Sequence, residues 1–305
     1  MEDDPKPQYW PGAAVGITVG VVTALVGYLL SVSGHDSFGV VIFCLLPFIT
    51  GLSVAAIVRP KAILAACVIT VGVLSAAILI ATRLEGFLCV VLAAPIMAAG
   101  MAIGAVVGYL LIGRRREHER LGKGHTVLLL LLLPALMAAA ERVERPLRNQ
   151  QRTETFATTI LVDASPEETW NSLTHIPRLS GPQPFLLAIG LPVPTHCSLG
   201  EQTLGSERVC YFDQGEIAQQ VTDWQPAARL EVAITGSTLP GRRWLEFIGA
   251  SYELKEVSEG TLVTRYSTIG SQLYPRWYWR GLEGWAVTSE HDYVLANIKR
   301  IAESR

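Results

Sequence analysis

Hydrophobic positions follow two different rules along this chain. From Trp10 to Gly113 they form long unbroken stretches, and from Gln150 onward they alternate with polar residues in short runs bounded by turn signals. A helix needs about 20 apolar residues to cross a hydrocarbon core of roughly 30 Å. Residues 11–32, 38–58, 62–82 and 86–113 each meet that requirement. Between Trp10 and Gly113 only five residues carry charge, Asp36, Arg59, Lys61, Arg83 and Glu85, and all of them fall in the gaps between runs. A fifth run, Thr126–Ala140, is shorter but almost entirely Leu and Ala, and it is expected to span with flanking residues snorkelling outward.

The second half reads as a folded, water-exposed domain. Thr155–Val162 alternates apolar and polar residues, which predicts a strand. Ser165-Pro166-Glu167-Glu168 carries an N-cap, a first-turn proline and a capping-box glutamate, which predicts a helix over Pro166–Leu173 with Trp170 and Leu173 inward. A Pro- and Gly-rich stretch follows, Pro177–Gly200. Strands are then expected at Ser206–Asp213, Glu216–Trp224, Arg229–Thr235, Leu245–Val257 and Thr261–Ile269, with Asp213-Gln-Gly215 and Ser258-Glu-Gly260 as hairpin turns. A helix over about Trp277–Ala302 closes the chain. The expected organisation is a helical membrane bundle over 1–141, a linker over 142–152 and an α+β domain over 153–305, with an antiparallel sheet around a long C-terminal helix.

Composition agrees with this division. Half of the residues are hydrophobic and only 17% are charged, against about 25% in an average soluble protein. A net charge of −2 argues against a nucleic-acid partner, which usually demands a basic footprint. Of the five cysteines, Cys44, Cys67 and Cys89 lie in apolar runs, so no disulfide ladder and no CxxC pattern is present. The leader MEDDPKPQ is acidic, so the first run is read as a span and not as a cleaved signal. With five spans, Lys6, Arg59, Lys61, Arg114, Arg115, Arg116, Arg120 and Lys123 share one side. Arg83, Arg142, Arg145, Arg148 and Arg152 share the other. Eight against five favours a multi-pass protein of the inner or plasma membrane with its soluble domain outside the cytoplasm. Removing the fifth span inverts that assignment.

The spans carry no ionisable residue, so they read as an anchor and not as a transport path. Gly12, Gly16 and Gly20, and again Gly100, Gly104 and Gly108, recur every fourth residue and put a smooth stripe on one helix face. Such stripes serve packing within a bundle or a homo-oligomer contact. The basic loop Arg114–Lys123 is a topology signal, or else a contact for anionic head groups.

The order strand, short helices, antiparallel meander and long helix matches a helix-grip fold. Three segments carry a closer likeness: Thr159-Ile-Leu-Val-Asp-Ala-Ser-Pro-Glu-Glu-Thr-Trp170; Gly205–Gly215 with Val221–Leu230; and Tyr274-Pro-Arg-Trp-Tyr-Trp279 before a helix ending Asn297-Ile-Lys-Arg-Ile-Ala302. They resemble the START-like, Bet v 1-related superfamily, of the polyketide cyclase/dehydrase and lipid transport type, including one bacterial branch. The likeness covers residues 153–303. It implies a cavity between sheet and last helix that holds a lipid or other hydrophobic small molecule. It does not choose between binders, cyclases, hydrolases and regulatory subunits.

Candidate cavity residues are Trp170, Arg208 on its strand, Tyr252, Arg265, and a helical stripe of Trp285, Ser289, Asp292 and Tyr293, with Glu290 and His291 pointing elsewhere. Trp285 and Tyr293 serve equally well as core, with Ser289 and Asp292 at its edge. His175 follows the first helix and His196 adjoins Cys197, so Cys197 or Cys210 could form a Cys/His nucleophile pair, but unreactive thiols and surface imidazoles fit the pattern better. No metal-ligand spacing and no nucleotide-binding motif occurs, and no cofactor is expected. The leading expectation is membrane-tethered binding of a hydrophobic molecule, with enzymatic and regulatory roles as rivals.

Overall fold

The computed structural model describes residues 10–34, 39–58, 60–115, 135–136, 139–140, 142, 144, 152–176, 178–239 and 245–304. The chain divides into two compact units, Met1–Gln150 and Gln151–Arg305.

In the first unit, helix α1 spans Trp10–Gly34, a π-helical turn over Val41–Leu45 leads into α2 at Leu46–Ile57, α3 spans Lys61–Ala81 and α4 spans Phe87–Arg115. Three of these, over Trp10–Ser31, Lys61–Ala81 and Phe87–Leu111, are long and apolar enough to cross a membrane. The expected number was five. The second run forms a shorter apolar helix, Val41–Ile57, which at 1.5 Å per residue reaches about 25 Å and falls short of a full crossing. Most of the fifth run, the basic loop beyond Arg115 and most of the connector lie outside the described residues.

These helices turn apolar side chains outward: Ile69 and Val73 on α3 and Ile103, Val106 and Leu111 on α4 are all exposed. A surface helix of a water-soluble protein commonly does the reverse. Ser31, Thr50 and Ser53 each donate to the carbonyl four residues back, whereas the buried hydroxyls of Thr23 and Ser75 have no hydrogen-bond partner. Apart from Gly12, which faces open space, the glycine stripes are occupied by the chain itself. A Cβ on Gly104 would lie 1.9 Å from the Phe48 carbonyl oxygen, and one on Gly20 would lie 2.7 Å from both Val54 and Val71. Glu144 is buried, and its carboxylate accepts from the Val40 and Val41 amides at 2.5 and 3.2 Å.

The second unit is an antiparallel sheet of seven strands ordered β1-β7-β6-β5-β4-β3-β2. The strands are β1 Arg152–Val162, β2 Pro194–Leu199, β3 Glu207–Phe212, β4 Gly215–Gln225, β5 Arg229–Ser237, β6 Leu245–Val257 and β7 Gly260–Ser271. Helices α5 (Pro166–Thr174) and α6 (Phe185–Ala188) follow β1, and α7 (Arg276–Ala302) closes the unit. The predicted capping box is present: Ser165 Oγ accepts from the Glu168 amide, and Glu168 accepts from the Ser165 amide. Gly260 turns the last hairpin at φ +124°, and a Cβ there would lie 2.2 Å from the Val162 carbonyl oxygen. One strand was not anticipated. Edge strand β2 begins at Pro194 inside the Pro-rich stretch, a position that costs no ladder hydrogen bond.

The sheet curls. Arg208 on β3 lies within electrostatic reach of Arg265 on β7 and Glu290 on α7. A flat sheet would hold β3 and β7 about 19 Å apart at about 4.8 Å per strand. The arrangement is helix-grip-like, with a core of Trp170, Leu173, Val221, Leu230, Val232, Val263, Tyr293, Leu295 and Ile298 between sheet and helices.

Candidate functional site

The concave side of the sheet is where sequence and packing disagree most. Strand alternation turns Arg208, Cys210, Gln219, Tyr252, Val263, Arg265, Ser267 and Ile269 inward, and all are buried. Two of these are guanidinium groups, so the sheet–helix interior contains charge that an apolar core would exclude.

Register explains how the polar cluster assembles. Thr158, Arg265 and Tyr252 form one cross-strand row over β1, β7 and β6. Arg208 sits opposite Gln219 on β3 and β4. Arg265 Nη2 donates to Glu290 on α7, at 3.0 Å to Oε1 and 2.7 Å to Oε2. Its guanidinium carbon lies 5.3 Å from the centre of the Tyr252 ring, a cation–π contact. Arg208 Nη1 donates to Gln219 Oε1 at 2.9 Å. His291 has no exposed surface and bridges Thr158 Oγ1 at 3.0 Å and Ser267 Oγ at 2.8 Å. Burial, reinforced by the neighbouring Arg265 charge, pushes its pKa down to about 2, so the ring is neutral. For Arg208, burial lowers the pKa and the nearby Arg265 adds to that, while Tyr252 and Glu290 favour its charge.

The helix face differs from the expected stripe. Ser289 and Tyr293 are buried as anticipated, but Trp285 and Asp292 are exposed. Trp285 instead stacks on the exposed ring of Phe185, with centroids 6.2 Å apart. Glu290 and His291, expected to point away, reach the sheet. Trp170 is buried and meets Trp224 edge-on at 5.0 Å, as part of the apolar core. The aromatic cluster at the start of α7 also divides: Trp277 is exposed, while Trp279 is buried and donates to the Tyr274 carbonyl. A network of Glu154, Arg276, Arg280, Glu283 and Ser271 fastens the start of α7 to β1 and β7.

Cys197 and Cys210, weighed as nucleophiles, form a disulfide between directly paired residues of β2 and β3. The bridge clasps the edge strand two residues from Arg208 and leaves neither sulfur as a thiolate. His175 and His196 are exposed. No group of three or more potential metal-ligating residues occurs among the described residues. A surface hollow of about 330 Å³ lies at the far end of α7, lined by Ala296, Lys299, Arg300, Glu303 and Ser304.

No family model matches the chain, and no curated protein matches it. Among solved structures, similar ones include an uncharacterised protein from Rhizobium leguminosarum at 14% identity, covering 51% of this chain and 98% of that one, with a TM-score of 0.37. A Staphylococcus aureus protein of unknown function is similar at 12% identity, with 51% and 97% covered and a TM-score of 0.37. Ara h 8.0201 is similar at 12% identity, with 50% and 100% covered and a TM-score of 0.34.

Proposed function

We propose that this protein is a membrane-anchored binder that holds a lipid or other hydrophobic small molecule between the curled sheet and α7. The observation that carries the reading is the interior of the second unit, where a helix-grip architecture encloses a polar cluster that stability alone does not call for. Three long apolar helices with outward-facing side chains support the anchor. An anchor raises the local concentration of a membrane-derived ligand at the binding unit.

Binding is favoured over catalysis by the state of the buried groups. A general base works best with a pKa near the operating pH. His291, at about 2, is far too weak a base at neutral pH. Cys197 and Cys210 are joined to each other. The disulfide also supports an extracytoplasmic setting for this unit, because cytosolic thiols are kept reduced.

Native mass spectrometry of the full-length protein, released from detergent after purification from membranes, tests the proposal. A discrete bound mass that leaves on denaturation is expected. A bare protein mass, both as purified and after incubation with total membrane lipid extract, would overturn it.

A further inference from the structure

The most unusual feature of the interior is an imbalance between buried donors and acceptors. Arg208 is 2% exposed and Arg265 9% exposed. Glu290 is the only carboxylate bonded to either of them among the described residues. The pair therefore leaves a net positive charge inside the domain. Four of the six guanidinium nitrogens, Nε and Nη2 of Arg208 and Nε and Nη1 of Arg265, are buried without a hydrogen-bond partner. An unpaired buried ion is strongly destabilising, and each unmade hydrogen bond adds to that. Such an arrangement persists where something else completes it.

The geometry of the orphaned atoms says what that is. Nε and Nη2 form the side-on edge of a guanidinium, two parallel N–H groups spaced to match two oxygens of one carboxylate or phosphate. In Arg208, Gln219 occupies Nη1, and Nε and Nη2 make no hydrogen bond of good distance and angle, with the Tyr252 phenol oxygen close enough to favour the guanidinium charge. In Arg265, Glu290 takes Nη2 and leaves Nε and Nη1 open. We infer that Arg208 and Arg265 form a buried oxyanion site, with Arg208 gripping a carboxylate or phosphate group side-on and Arg265 adding a second contact. That the anion heads an apolar molecule rests on the function proposed above. The anion site itself rests on the buried pair alone. Since both residues are covered, the ligand enters only when the domain opens, and association is slower than simple encounter.

The test uses full-length protein in a neutral detergent, probed with dodecyl phosphate, dodecanol and inorganic phosphate, with retained ligand counted by native mass spectrometry. Wild type is expected to retain dodecyl phosphate at least tenfold better than dodecanol, and Arg208→Met is expected to lose that preference. Arg208→Met is also expected to unfold no more readily than wild type, because it removes an unpaired buried charge. Arg208→Lys keeps the charge without the two-pronged edge, and it is expected to lose most of the preference as well. Equal retention of the alcohol and the phosphate by wild type overturns the anion site while leaving a hydrophobic binder standing. Retention of inorganic phosphate with neither amphiphile supports the anion site and ends the lipid reading. Retention of none of the three overturns both. A strongly destabilised Arg208→Met with an unchanged preference in Arg208→Lys assigns Arg208 a structural role and refutes the inference.

Discussion

Lowering the pH from 7.5 to 5.0 is expected to loosen the second unit through one residue, His291. In the folded protein its pKa is about 2, so the ring stays unprotonated throughout this range. In the unfolded chain it titrates near 6.5. Below pH 6.5 the unfolded state therefore binds a proton that the folded state refuses, and stability falls with pH at up to about 1.4 kcal/mol per unit. Stability from this group is fully present above the unfolded pKa and is lost on acidification. At pH 5.0 the loss is about 2 kcal/mol, and any folded pKa below about 4 gives nearly the same figure. Glu154 adds nothing in most of this window. Burial works to raise its pKa, but hydrogen bonds from Arg280 and Arg276 and their charge hold it below the usual 4.5, so its contribution fades only in stronger acid. The assay is amide hydrogen exchange of β7 and α7 peptides in the full-length protein, corrected for intrinsic rates. Protection is expected to fall about 30-fold between pH 7.5 and 5.0. His291→Phe leaves the Thr158 and Ser267 hydroxyls unpaired and is expected to cost about 1–3 kcal/mol at pH 7.5, but with protection flat across the range. A flat wild-type profile, or an equally steep one in His291→Phe, would refute the reasoning.

Other parts of the structure give further expectations. Reducing the Cys197–Cys210 bridge, which closes a 13-residue separation, should cost about 3 kcal/mol by loop entropy, read as a lower denaturant midpoint. A thiol-reactive mass tag should add to both residues only after reduction; labelling without reductant would show the bridge absent. Gly104→Ile should disrupt the first unit itself, because its Cβ site lies 1.9 Å from the Phe48 carbonyl oxygen. A normally folded Gly104→Ile protein that merely dissociates from a larger assembly would assign the stripe to an intermolecular contact instead. Ser165→Ala should cost about 1 kcal/mol by loss of the N-cap, seen as faster exchange in α5 alone.

Much of the second unit was legible because alternation and turn chemistry are local. The capping box at Ser165 and Glu168 and the glycines at 215 and 260 need only neighbours a few residues away, and those elements form where expected. Strand β2 was hidden because an edge strand tolerates Pro194, which reads as a breaker. Missing it also concealed the disulfide, since Cys197 acquires a partner only through pairing with β3. The helix face was misassigned for a similar reason. Trp285 invites an inward placement and His291 an outward one, but Thr158 and Ser267 across the sheet bond the imidazole, and Phe185 offers Trp285 a surface stack. Arg208 and Arg265 were visible as candidates; their unpaired edges follow only from the curl that brings β3 towards β7.

The most direct measurement is an experimental density map of the full-length protein purified from membranes without delipidation. Density bridging the side-on edge of Arg208 to Arg265, and continuing between the sheet and α7, is the predicted result. Side chains closed over that space, with water alone on both guanidinium groups, would contradict the account.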